Sequence, residues 1–237
     1  GGEVKAGRGV SFELSPGETL AIVGESGCGK TVTAKALMRL LQPPFAVIKE
    51  GSSVKFDGTE VLDMDKKALR AYRGNDVSMI FQDPMTSLNP TMTCGKQIME
   101  SLILHKGLTK AQAREEAIET LRLVKIPDPE KRVDEYPHQM SGGMRQRVMI
   151  AIALSCQPRV LIADEPTTAL DVTIQAQIID LLRELRDKLN VAIILVTHDL
   201  GVVANFADRI QVMYAGQVLV RGTARVIFYG SKHPSTW

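Results

Sequence analysis

Residues 24 to 31 read Gly24-Glu25-Ser26-Gly27-Cys28-Gly29-Lys30-Thr31, a match to the phosphate-binding pattern G-x-x-x-x-G-K-[ST]. This stretch restricts the fold more than any other, because the pattern works only between a strand and a helix. Before it lies the short apolar run Thr19 to Val23, which reads as a buried strand; after it, Thr31 to Leu41 has helical periodicity. Gly24, Gly27 and Gly29 let the backbone turn tightly, so that several N–H groups converge on one anion. The helix starting near Lys30 adds the positive end of its dipole. Lys30 can then reach the β- and γ-phosphates of a nucleoside triphosphate, and the Thr31 hydroxyl can bind Mg²⁺. The plain alternative is a glycine-rich turn with an exposed lysine, and both spacing and context weigh against it.

Composition narrows the classes that remain. With 237 residues, the chain suits one large domain or a core with an inserted subdomain. Its net charge of +2 gives no reason to expect a nucleic-acid surface. Cys28, Cys94 and Cys156 are scattered without metal-site spacing, which favours free thiols in a reducing compartment. No apolar run approaches the ~20 residues of a membrane span, and no signal peptide is visible. A role at a membrane would therefore mean docking onto something embedded there.

Along the chain, Val10 to Leu14 alternates as a strand and turns at Pro16-Gly17. Pro43-Pro44 ends the helix after the phosphate loop, and Ser53 to Phe56 leads into a hairpin turn at Asp57-Gly58. A short helix is expected over Asp65 to Arg73 and a strand over Val77 to Phe81, with Gln82 at its end. From Asp83 to Cys156 the apolar spacing is helical, and Thr109-Lys-Ala-Gln112 resembles a capping box opening a helix to about Val124. Strand character returns at Val160 to Asp164 and Val191 to Thr197, around a helix from Val172 to about Lys188. Leu200 to Phe206 reads as a short helix, and Arg209 to Tyr214 with Gln217 to Arg221 as a terminal hairpin. Strands alternating with helices predict an α/β fold: a P-loop NTPase core with a mainly parallel sheet, an antiparallel β element and an inserted α-helical subdomain. The expected division is an ATPase core from 1–82 and 157–237, with the helical subdomain at 83–156.

Two further motifs carry chemistry. The apolar strand Val160 to Asp164 brings Asp164 to its tip, where ligands of parallel sheets gather, and Glu165 follows. Asp164 would hold Mg²⁺, and Glu165 would orient or deprotonate an attacking water. A solvated acidic turn before Pro166 is the weaker reading once the phosphate loop is considered. Ser141-Gly142-Gly143 precedes a helix and offers a second anion site of a serine and free N–H groups. Arg145 and Arg147 read as a solvated or salt-bridged helix face, and Met144 and Met149 as packing.

Taken together, these residues resemble the nucleotide-binding subunit of an ABC transporter. Gly24 to Thr31 matches the family's Walker A loop and Val160 to Glu165 its Walker B strand; Gln82 matches the Q-loop, Met140 to Met144 the signature, Thr168 to Asp171 the D-loop, and His198 the switch histidine. The signature departs from L-S-G-G-Q at Met140 and Met144, while its serine and glycines are intact. The stretch Gln82 to Pro90 is similar to the peptide and nickel importers, and His233 to Trp237 to the point where those proteins continue into a further C-terminal segment. The resemblance also places the family's first strand, with its adenine-stacking aromatic, before Gly1.

The resemblance implies ATP and Mg²⁺ as cofactors and hydrolysis at the γ-phosphate. Nucleotide would bind Gly24, Glu25, Ser26, Gly27, Cys28, Gly29, Lys30, Thr31 and Val32 of one copy, and Ser141, Gly142, Gly143 and Met144 of another would cover it. Thr31, Gln82 and Asp164 would hold the metal; Glu165, His198 and Gln82 would be catalytic, and Asp171 would serve the D-loop. Implied partners are a second ATP-binding subunit (the same chain or a paralogue) head-to-tail, membrane-embedded permease subunits and, indirectly, an extracytoplasmic substrate-binding protein, with no nucleic acid. The implied location is peripheral, on the cytoplasmic face of the cell membrane. The competing readings are a soluble ABC-type ATPase clamping nucleic acid or a ribosome, and a nucleotide-gated module with little turnover. The first would call for a coiled-coil insert or tandem cassettes, and Glu165 with His198 argues against the second.

Overall fold

The computed structural model describes residues 9–23, 53–56, 59–60, 63–81, 87–167, 170–197, 209–212 and 223–228. The chain forms two compact units, one of residues 1–70 and 186–237, the other of residues 71–185.

In the first unit, β1 (Gly9–Leu14) leads into a turn where the Glu18 N–H donates to the Ser15 carbonyl at 3.1 Å and the Ser15 N–H to Glu18 Oε1 at 3.0 Å. Gly17 takes φ +73°, and a Cβ there would stand 2.6 Å from Asn190 Oδ1, so both backbone and space call for glycine. The turn aims β2 (Thr19–Val23) alongside β7 (Ala192–Thr197), and β8 (Arg209–Val212) lies on its other side, both pairings parallel. Every residue of β7 is buried, as its unbroken apolar run demands of a strand covered on both faces. Arg186 Nη1 donates to Thr19 Oγ1 at 2.9 Å and ties the start of β2 to the chain that enters β7.

A second sheet in this unit has the order β1-β9-β3-β4, with β3 at Ser53–Phe56, β4 at Thr59–Glu60 and β9 at Thr223–Phe228. β3 and β4 are antiparallel around Phe56 and Thr59, as the Asp57-Gly58 signal predicts, whereas β9 runs parallel to both β1 and β3. β8 pairs with β2 in parallel and β9 was not anticipated, while the turn and second strand of the expected terminal hairpin, 213–221, lie outside the described residues.

α1 (Lys66–Ala71) closes the first unit's opening segment and carries the chain into the second, where a single π-helical turn at Tyr72–Asp76 precedes β5 (Val77–Ile80). Buried Tyr72 anchors that turn, and burial followed by the nearby Asp76 charge raises its phenol pKa. The Arg159 N–H donates to the Asp76 carbonyl at 2.9 Å, which sets the parallel register of β5 with the fully buried β6 (Val160–Asp164).

Between these strands the chain is helical. α2 (Cys94–Lys106) is capped by Thr93 and stopped by Gly107 at φ +66°; α3 (Lys110–Leu123) opens with the predicted Thr109–Gln112 capping box. After the short α4 (Pro129–Arg132) comes α5 (Gly142–Leu154), whose Val148, Ile150, Ala151 and Leu154 are buried. Ile98 and Leu102 of α2 and Ala113, Ala117 and Leu121 of α3 complete this core, and α2, α3 and α5 pack on one another. The last helix, α6 (Val172–Leu189), buries Ile178, Leu181, Leu182 and Leu185 at helical spacing. No helix among the described residues is long and apolar enough to cross a membrane.

Candidate nucleotide site

Two strand registers align the strand ends that precede the predicted motifs. In the first unit, Val23 lies opposite Thr197 in the parallel pair, so the chain leaves β2 toward Gly24 and β7 toward His198 side by side. In the second, Ile80 lies opposite Ala163, so the chain leaves β5 toward Gln82 beside Asp164 and Glu165. In parallel sheets these carboxyl ends are where ligands bind. Residues 24–32, Gln82 and His198 themselves lie outside the described residues, as do 168–169 of the D-loop and the expected helix at 200–206.

The acidic pair is described in full. Asp164 ends β6 with 3% of its surface exposed, and Glu165 follows at 8%. Glu165 takes φ +49°, a left-handed backbone that a β-carbon disfavours, so its surroundings must hold it there. A buried carboxylate at a strand tip, with a second carboxylate next to it, is a hard oxygen donor set of the kind that suits Mg²⁺.

Ser141 is the N-cap of α5: its Oγ accepts from the Met144 N–H at 3.2 Å. The glycines after it meet the region beyond Glu165. A Cβ on Gly142 would stand 3.5 Å from Leu170 Cδ2, and one on Gly143 would stand 2.9 Å from Ile174 Cγ2. Asp171 caps the facing helix, its Oδ1 accepting from the Ile174 N–H at 2.9 Å. The structure thus brings Ser141, Gly142 and Gly143 against the segment from Leu170 to Ile174, within one unit.

The approach to Ser141 hangs from two helices. At the start of α2, the Cys94 N–H donates to the Glu135 carbonyl at 2.8 Å and the Gly95 N–H to the Val133 carbonyl at 2.9 Å. Gly95 has no alternative there, since a Cβ would stand 2.4 Å from the Val133 carbonyl oxygen. From α5, Arg145 Nη1 donates to the Met140 carbonyl at 2.5 Å, and Arg147 Nη1 donates to the Val124 carbonyl at 3.0 Å. Both arginines therefore depart from the sequence expectation of a solvated or ion-paired face: they tie backbone segments to the helix, and burial lowers the Arg147 pKa. Nothing in helical periodicity signals that role. Met140 is buried with Cys94 Sγ 3.7 Å from its Sδ, and burial, then the Glu135 charge, pushes the Cys94 thiol up to about 11.

Sequence reasoning also missed Gln175. Its side-chain amide donates to the carbonyls of Thr167 and Leu170, each at 3.0 Å. A polar residue one turn into a helix, just after an aspartate cap, was the available signal.

Residues 8–168, more than half of the chain, match the ABC transporter family. The chain is 57% identical to the oligopeptide transport ATP-binding protein OppD of Bacillus subtilis (strain 168), over 100% of this chain and 66% of the relative. It is also 57% identical to the dipeptide transport ATP-binding protein DppD of the same organism, over 100% of this chain and 70% of that one. The chain thus spans about two thirds of the length of these relatives. Among solved structures it resembles the ATP-binding cassette MJ0796 in a dimeric post-hydrolysis state bound to ADP and Pi, at TM-score 0.74 and 31% identity, covering 86% of this chain and 84% of that one. The chain belongs to the ABC transporter family.

Proposed function

We propose that this chain is the ATP-hydrolysing cassette of an importer for oligopeptides or dipeptides. The observation that carries the reading is the Asp164–Glu165 pair, buried at the end of β6 in a chain 57% identical to peptide-transport ATP-binding proteins. Cargo class comes from those relatives.

In this reading Lys30 and the loop from Gly24 to Thr31 hold the phosphates, with Glu25, Ser26 and Cys28 contributing backbone N–H groups. Thr31, Gln82 and Asp164 hold Mg²⁺, which supplies neutralisation of charge on the β- and γ-phosphate oxygens. Glu165 takes a proton from the attacking water, and His198 bridges Glu165 and the γ-phosphate. Ser141, Gly142, Gly143 and Met144 of a second cassette close the site with N–H groups at the start of α5, where a helix dipole favours anions. One chain does not need to fold both halves onto one nucleotide, because two chains head-to-tail complete two sites. Gln82 links the nucleotide to the permease subunits, and Asp171 lies at the cassette–cassette contact. The working division is a catalytic core at 1–82 and 157–237 and a helical subdomain at 83–156. The complex sits at the cytoplasmic face of the membrane and receives peptide from an extracytoplasmic binding protein.

The test is affinity purification of the full-length chain from its native membrane, followed by ATP hydrolysis and labelled-peptide uptake by the reconstituted complex. Recovery of permease subunits with peptide-stimulated hydrolysis is the expected result. Recovery of nucleic acid or ribosomes, with no permease, would favour the clamp reading instead.

A further inference from the structure

Glu165 is held in a backbone conformation that it does not prefer, and the chain after it must be fixed by something. β6 fixes one end, and the Asp171 cap on α6 fixes the other. Between them the Leu170 N–H donates to the Thr167 carbonyl at 3.1 Å. Gln175, half-buried in α6, attaches this turn: Nε2 lies 3.0 Å from the Thr167 carbonyl oxygen and 3.0 Å from that of Leu170. A primary amide carries two N–H donors, so one side chain satisfies both carbonyls at once. Its own backbone is held as well, since the Gln175 N–H donates to the Asp171 carbonyl at 2.8 Å.

The two clamped carbonyls belong to residues that face different chemistry. Thr167 is two residues past Glu165, and the Leu170 side chain is the surface that Gly142 meets. One amide therefore sets the spacing between the chain carrying the acid pair and the helix end carrying Ser141.

We propose that Gln175 is a positioning residue for ATP hydrolysis: its side-chain amide pins the Thr167 and Leu170 carbonyls and so holds Glu165 in register with the Ser141-Gly142-Gly143 helix start. The proposal rests on the ATPase reading above. It predicts an effect on turnover and little on nucleotide affinity, because among the described residues the Gln175 side-chain amide bonds to the Thr167 and Leu170 carbonyls.

The experiment uses the full-length chain assembled with its membrane subunits and three substitutions. Gln175→Met keeps the length and lacks donors, Gln175→Glu presents a carboxylate to two carbonyls, and Gln175→Lys is longer but keeps N–H donors. Expected are kcat losses of about tenfold or more for the Met and Glu variants, with KM for ATP within about twofold, and kcat for the Lys variant within about threefold of the parent. Parental kcat in the Met and Glu variants, or a Lys variant as slow as they are, overturns the clamp. If the Met and Glu variants do not fold, the Lys variant decides: kept turnover supports the clamp, and lost turnover overturns it. Failure of the parental complex to hydrolyse ATP would instead overturn the ATPase reading, and the clamp with it.

Discussion

Gly143 approaches Ile174 so closely that a Cβ at position 143 would stand 2.9 Å from Ile174 Cγ2. The start of α5 and the start of α6 meet here with no side chain on one side. Ile174 is β-branched and stiff at χ1, so it cannot swing aside freely. Gly143→Ala is therefore expected to lower stability by roughly 1–3 kcal/mol through overpacking. Urea unfolding of Gly143→Ala alone and in an Ile174→Ala background checks this. The alanine penalty should nearly vanish when Cγ2 is removed; an unchanged penalty would mean that the contact is not what requires glycine.

Ser141 performs a structural task that can be separated from a chemical one. Its Oγ caps α5 through the Met144 N–H. Ser141→Ala should lose roughly 0.5–2 kcal/mol of stability. Ser141→Asp keeps a good capping acceptor, so thermal unfolding should stay near the parental midpoint. Its charge would meet a phosphate in the proposed closed pair, where like charges repel by several kcal/mol, so hydrolysis should fall at least about tenfold. An aspartate variant with parental hydrolysis would show that Ser141 only caps.

The Cys94 thiol makes stability fall at alkaline pH. Its folded pKa of about 11 lies above the unfolded value of 9.0, raised first by burial and then by Glu135. Below pH 9 the thiol is protonated in both states and its contribution is complete. Between pH 9 and 11 the unfolded chain releases the proton first, and stability drops by about 2–3 kcal/mol in all, at 1.36 kcal/mol per unit. Denaturant titrations of parent and Cys94→Ala at pH 8 and 11 check it. The difference between the two proteins should shrink by that amount at the higher pH, and a difference independent of pH would contradict it.

Much of the fold could be read locally. β6 and β7 announce themselves as unbroken apolar runs, and the Thr109–Gln112 capping box sets the start of α3 from four residues. β9 was not legible, because its partners β1 and β3 lie far away in sequence and parallel pairing leaves no hairpin signal. The short helix expected over Asp65 to Arg73 ends early in a π turn, since the buried Tyr72 ring and the Asp76–Arg159 contact fix that segment from outside. At the candidate site, the acid pair Asp164–Glu165 at a strand tip and the Ser141 helix cap were visible from residue type and spacing. Arg145 and Arg147 were not, since a side chain that turns onto a backbone carbonyl leaves no periodic trace, and Gln175 left only its place after the Asp171 cap.

Glu165→Gln tests the central claim most directly, because glutamine keeps shape and polarity and cannot accept a proton at neutral pH. In the full-length chain with its membrane subunits, steady-state hydrolysis and equilibrium ATP binding are measured side by side. The account predicts hydrolysis slower by ~10²–10⁴-fold with ATP affinity kept or increased. Hydrolysis at the parental rate would contradict it and place the base elsewhere.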